Sequence, residues 1–301
     1  MAARYWRLLF LSELALATAF AMRVGVAFKL PLGLAVLAGL GVLLLLPGAL
    51  AGLSFVIAGV MGPPQRGRGT FIDLLRAWVS ESVALQRATL AMSLEPWRRF
   101  DYDSPPGAPQ PPKPVLLIHG IVCSRAVWRP LANALRGQEF GPIRAVNLEP
   151  LLGNIDSHAK SVATVIRQLR CKCGGARVTI IAHSMGGLVA RAALRLLEAD
   201  DIRQIVTLGS PHHGTWLAQL LPGLPYRQMQ PDSEWLAALN AAQEGRFPVP
   251  VTCIYSTNDN LVTPSRSAAL QGATRFELRG LGHLSLLSAR PAIDCTLRVL
   301  V

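Results

Sequence analysis

The sequence predicts an α/β domain, a mostly parallel sheet with helices on both faces, preceded by N-terminal transmembrane helices. Three features lead there. Residues 1–62 carry almost no charge, short β-branched runs alternate with helical stretches beyond residue 114, and a proline-rich segment separates the two regimes. Strand–helix alternation implies parallel strands, because parallel neighbours need a crossover where antiparallel ones need only a tight turn.

The chain has 301 residues, 51% of them hydrophobic, with a mean hydropathy of +0.35. That is more apolar than an ordinary soluble domain. Within residues 1–62 the charged side chains are Arg4, Arg7, Glu13, Arg23 and Lys29. "LLFLSELALATAFAM" (8–22) follows the first two arginines, and Leu30–Met61 is a 32-residue run without a charge. As one helix that run would extend about 48 Å, against roughly 30 Å of hydrocarbon core. Pro47-Gly48 divides it, so a kinked, tilted span and a re-entrant hairpin both fit. Residues 1–62 read as a membrane anchor, an uncleaved two-span hairpin. A cleavable signal peptide ending near "AFA" (19–21) is the rival, opposed by Glu13 within the apolar run and Arg23 just after it. Arg4 and Arg7 precede the hairpin while Arg66, Arg68 and Arg76 follow it, so the positive-inside rule leans towards both ends in the cytoplasm of a bacterial inner membrane. Two crossings within the long run would move the remainder to the other side.

Residues 63–103 hold Phe71, Leu74, Leu75, Trp78 and Leu85 at helical spacing, an amphipathic juxtamembrane helix that lies in the interface or packs on the next domain. Residues 104–113 form a stiff Pro-rich linker: "SPPGAPQPPKP" (104–114) has six prolines in eleven residues. Residues 114–301 make the α/β domain. Its candidate strands are 115–120, 143–148, 178–183, 202–210, 251–256 and 275–278. Helical character falls at 127–136, 157–170 and 188–199. A segment at about 215–248, with "WLAQLLPGLPY" and "SEWLAAL", reads as a small cap or as core helix.

Beyond residue 62 there are 26 Lys+Arg against 17 Asp+Glu. This excess suits anionic lipid headgroups. No nucleic-acid module or aromatic-interleaved basic run is present, so the expected partner is the lipid bilayer and not nucleic acid. The five cysteines, Cys123, Cys171, Cys173, Cys253 and Cys295, are odd in number. "CKC" is too tightly spaced for a zinc pair, so neither a disulfide framework nor a metal is expected.

Ser184 stands at the break in "TIIAHSMGGLVARAAL" (179–194), where a strand passes into a helix. Ligands of parallel sheets bind beyond the carboxyl ends of the strands. A tight strand-to-helix turn lifts the hydroxyl clear of the sheet and demands small neighbours, here Ala182 and Gly186. The helix behind it aims its N-terminal amides at the same spot. With His183 before the serine, this resembles the nucleophile elbow of α/β-hydrolases, alanine replacing the first glycine.

Four further features extend the resemblance. His119-Gly120 ends the first strand, as the HG dipeptide of lipase-like hydrolases does, which implies that the N–H groups of Ile121 and Met185 form an oxyanion hole. Asp259, in a D-x-x-V-x-P context after an apolar strand, resembles the acid turn of these enzymes. His283 in "RGLGHLSLL" lies after the last strand, and Ser184, Asp259, His283 is the chain order of the fold. "VTLGSPHHGTWL" is similar to a segment of bacterial lipases. His212 and His213 there lack a third metal ligand.

The sequence thus resembles the α/β-hydrolase superfamily, more narrowly bacterial membrane-anchored lipases and esterases, over residues 112–301. The resemblance implies an acyl-ester substrate, a covalent acyl-enzyme on Ser184 and no cofactor. An acyltransferase or thioesterase on the same triad is the alternative, and an inactive membrane scaffold or transport accessory protein a more distant one.

Overall fold

In the computed structural model, which describes residues 2–62, 69–95, 112–138, 140–243 and 246–300, the six apolar runs form one six-stranded sheet. The strands are β1 (Val115–Ile118), β2 (Ile143–Val146), β3 (Val178–His183), β4 (Ile202–Leu208), β5 (Val251–Ser256) and β6 (Thr274–Leu278). Their order is β2-β1-β3-β4-β5-β6 and every neighbouring pair is parallel. β1 and β4 stop two residues earlier than their apolar runs, because His119-Gly120 and Gly209-Ser210 already turn away from the sheet.

Strand side chains alternate between faces, so the central runs feed two cores. Leu116, Ile118, Ile180 and Ala182 pack with α5 (Ile155–Lys172) and α6 (Met185–Leu194). Val115, Leu117, Ile181 and Val206 pack on the opposite face with α4 (Arg129–Arg136) and α9 (Arg290–Leu300). All six residues of β3 are buried. Full burial of each aliphatic side chain contributes about 1.5–3 kcal/mol, which makes β3 the rigid element on which the following turn is mounted.

The N-terminal region forms α1 (Ala2–Ala27), α2 (Leu32–Met61) and α3 (Phe71–Ser93). α2 runs through Pro47 as one helix, so the re-entrant alternative is not adopted. Glycines allow α1 and α2 to approach closely: a Cβ on Gly39 would stand 2.8 Å from the Ala17 carbonyl oxygen. Both helices are long and apolar enough to cross a membrane by length and composition.

α3 packs one face against the rest of the molecule and leaves apolar residues exposed on the other. Ala77, Glu81, Ala84, Ala88 and Met92 are buried, while Phe71, Ile72, Leu75, Val79 and Val83 are exposed. Hydrogen bonds tie this region to the sheet domain. Trp6 Nε1 donates to the Val122 carbonyl (2.7 Å), Asn260 Nδ2 donates to Ser54 Oγ (2.7 Å), and Trp78 Nε1 joins α3 to the Gly48 carbonyl of α2 (2.8 Å). Most of the predicted linker lies outside the described residues. Its last residue, Lys113, makes an isolated bridge with Gly141 at the start of the sheet domain.

The segment after β4 contains a 3₁₀ turn (Trp216–Leu220), α7 (Leu224–Gln228) and α8 (Glu234–Gln243). Its second half is anchored in the core: Leu236 and Leu239 are buried, and buried Arg191 of α6 donates to Gln243 Oε1 and Asn240 Oδ1 of α8. Its first half forms the wall of a cavity.

Candidate active site

Ser184 occupies the single residue between β3 and α6, with φ 55° and ψ −130°. Such a conformation costs about 1–3 kcal/mol and survives only where the surroundings over-determine it. Here the Ser184 N–H donates to the Leu208 carbonyl (2.9 Å), and the neighbours are shaped around the turn. A Cβ on Gly120 would stand 2.7 Å from Ser184 Cβ, and one on Gly186 would stand 2.4 Å from the Ile118 oxygen and 2.7 Å from the His119 oxygen. Ala182 pairs with Ile118 on one side and Thr207 on the other, fully buried. Gly186→Ala should therefore destabilise by about 1–3 kcal/mol, since backbone cannot swing aside as a side chain can. The midpoint of denaturant unfolding measures it, with an unchanged slope expected.

At the neighbouring strand ends, His283 Nδ1 lies 2.9 Å from Asp259 Oδ2 and 3.1 Å from Oδ1, both residues buried. Asp259 is itself fixed, because Oδ1 accepts the N–H groups of Leu261 and Val262 (2.8 Å each). The His283 backbone N–H donates to Asn260 Oδ1 (2.8 Å). Burial works against a charged His283, but the Asp259 charge and hydrogen bond, with Glu81 behind them, hold its pKa above the ordinary value.

Two other histidines support the site without titrating near neutrality. His183 packs against His283 with ring centroids 4.5 Å apart and planes tilted by 48°, and its Nε2–H donates to the His283 carbonyl (3.1 Å). Burial first, and then the neighbouring His283, push its pKa well below the usual value. His119 is pushed down to about 4 by burial. Its Nε2 accepts the Leu148 N–H (3.1 Å), so Nδ1 carries the proton and donates to the Gly120 carbonyl (2.7 Å). This fixes the turn that leads to Ile121.

Ser184 and His283 line one cavity of about 230 Å³, together with Ile121, Leu217, Leu221, Tyr226 and Met229. No direct hydrogen bond joins Ser184 Oγ to the imidazole among the described residues; pairs of this kind commonly close only when substrate is bound. Ile121 precedes Val122, whose φ of 58° is strained for a β-branched residue. Met185 is the first residue of α6, where backbone amides lack intrahelical partners. His212 and His213 lie elsewhere. His212 packs between Thr207 and Arg191, and His213 bonds the Ala269 carbonyl.

Two contributors escaped the sequence reading. Asn260 was hidden beside the acid, and Glu81 sits far away on α3. The only local signal for Glu81 is a lone carboxylate on the helix face formed by Ala77, Ala84 and Ala88.

Known proteins share this architecture. A family model, the PGAP1-like alpha/beta domain, matches residues 143–221. The chain is similar to the lysosomal thioesterase PPT2 of Rattus norvegicus, 26% identical over 123 residues, covering 37% of this chain and 39% of that protein. The Bos taurus thioesterase is 27% identical over 123 residues, with the same coverage. The chain thus matches about two fifths of the length of these relatives. Among solved structures it is similar to the Bacillus licheniformis lipase BlEst2 in mature form, with a TM-score of 0.60 at 17% identity, covering 67% of this chain and 97% of that one. It is also similar to Aspergillus fumigatus lipase B, with a TM-score of 0.57 at 19% identity, covering 78% and 61%. The chain carries the α/β-hydrolase fold that these solved structures share.

Proposed function

We propose that the protein is a membrane-anchored serine hydrolase that cleaves apolar acyl esters through an acyl-enzyme. One observation carries this reading: a strained Ser184 shares an apolar cavity with an imidazole that Asp259 holds at 2.9 Å. His283 removes the hydroxyl proton as Ser184 Oγ attacks the acyl carbonyl. The tetrahedral oxyanion takes hydrogen bonds from the Ile121 and Met185 N–H groups. His283 then protonates the leaving group, and water, deprotonated in turn by His283, releases the acid and regenerates Ser184. The apolar lining from residues 217–229 receives the acyl chain, and the two apolar helices keep the cavity beside a lipid surface on which such substrates partition.

A thioester substrate is the second reading, favoured by the similarity to lysosomal thioesterases. It uses the same residues and differs only in the leaving group. A chain-length series of p-nitrophenyl esters and the matching acyl thioesters, assayed with detergent-solubilised full-length protein, tests both. Turnover rising with chain length is expected, and the ratio of kcat/KM for oxygen and sulfur leaving groups separates the two. An absence of turnover on either series would refute the hydrolase assignment.

A further inference from the structure

We propose that Glu81 of α3 is a positioning residue for this reaction, clamping the backbone that carries His283 and so setting where the imidazole stands. The inference rests on the hydrolase reading above. Glu81 is buried, and its two oxygens divide their work: Oε1 accepts the Leu284 N–H and Oε2 the Ser285 N–H, each at 2.9 Å. These are the two residues directly after His283. On the other side of the histidine, a Cβ on Gly282 would stand 2.5 Å from Glu81 Oε2 and 2.7 Å from Glu81 Cβ. The glycine is therefore required by the carboxylate lying against it. Ser80, the preceding residue of α3, approaches the Gly280 carbonyl at 3.4 Å and Ser285 Oγ at 3.3 Å. The loop is thus gripped before and after the imidazole by one turn of one helix.

A packing role alone does not account for this side chain. A carboxylate is costly to bury, and an apolar residue would fill the space at less expense. Burial raises the Glu81 pKa above the ordinary carboxylate range, while the Leu284 and Ser285 amides and the neighbouring His283 pull it back; with one amide donating to each oxygen, the geometry suits the ionised form. That charge acts on the imidazole beside it. The groups facing His283 are Asp259 from the turn after β5, Glu81 from α3, and the neutral His183 from the end of β3. Those facing Glu81 are His283, Asp259 and the buried Cys123 thiol. Glu81 also links the site to the anchor, since Trp78, one turn earlier on α3, donates to Gly48 of α2.

The test uses the full chain in detergent, with a fluorophosphonate probe of Ser184 and a p-nitrophenyl ester. Glu81→Gln should slow labelling and lower kcat by about 10- to 100-fold, the scale of a displacement near 1 Å at a reacting group. KM should stay within about twofold. The acid limb of kcat/KM should move to lower pH, because an imidazole without the nearby anion binds its proton less tightly. Glu81→Asp should recover part of the rate. If Glu81→Gln fails to fold, Gly282→Ala, which keeps the carboxylate but presses a methyl group onto it, should show the same loss in kcat. Unchanged kcat and an unmoved acid limb in a folded Glu81→Gln protein would overturn the proposal. So would a loss that only tracks the unfolded fraction. A wild-type chain that the probe does not label would instead defeat the hydrolase reading, and this inference with it.

Discussion

Ser184→Ala is expected to abolish fluorophosphonate labelling and to lower kcat on an acyl ester by about 10⁴- to 10⁶-fold, while the folded state keeps its stability. The two effects separate because of how the serine is held. Its backbone N–H is committed to the Leu208 carbonyl, but its hydroxyl has no hydrogen-bond partner among the described residues. Removing that oxygen leaves no buried partner unsatisfied, and alanine meets the same backbone strain as serine. The denaturation midpoint should therefore move by less than about 0.5 kcal/mol equivalent, or rise slightly, as at functional positions that fold against their own stability. Residual turnover would reflect the proposed oxyanion donors, the amides of Ile121 and Met185, polarising a bound carbonyl when the nucleophile is gone. Labelling that persists in the alanine protein would place the nucleophile elsewhere.

The parts of the molecule legible in the sequence are those whose physics is local. Parallel strands buried on both faces must be continuously apolar, so β1, β3 and β5 can be read from short runs such as "VTIIAH", whereas the edge strands β2 and β6 are only partly buried and mix in charged residues. The turn at Ser184 announces itself because its backbone geometry excludes bulk within two residues on either side: Gly186 meets the Ile118 carbonyl, and only the smallest side chains fit. Contacts between distant segments leave no such mark. Helical periodicity in 71–93 reported an apolar face but not that its small-residue side would receive the His283 loop. Pro47 signals a possible break in the sequence, yet a proline removes only one backbone donor, and α2 continues through it. The segment near 215–248 reads equally as cap or core in sequence, and its two halves differ in the structure. Leu217 and Leu221 face the cavity, whereas Leu239 of α8 is buried in the core.

Asp259→Asn is the second substitution with a large expected effect, a loss in kcat of about 10⁴-fold with the fold intact. The asparagine Oδ1 can still accept the Leu261 and Val262 amides, so the turn keeps its shape. Its amide nitrogen, however, replaces an acceptor 2.9 Å from His283 Nδ1 with a donor. The imidazole must then leave Nδ1 bare and carry its proton on Nε2, the nitrogen that has to receive the Ser184 proton. The pH profile gives an independent check. In the native chain the base form of His283 appears only above its raised pKa, so the acid limb of kcat/KM should lie above about 6.5, the ordinary histidine value. Without the Asp259 charge, burial prevails and the limb of the residual activity should fall to lower pH. Near-normal rates in the asparagine protein would require another carboxylate to hold Nδ1. Glu81 is the nearby buried carboxylate, and it cannot take that place without releasing both the Leu284 and Ser285 amides, the bonds that keep the imidazole loop where it is.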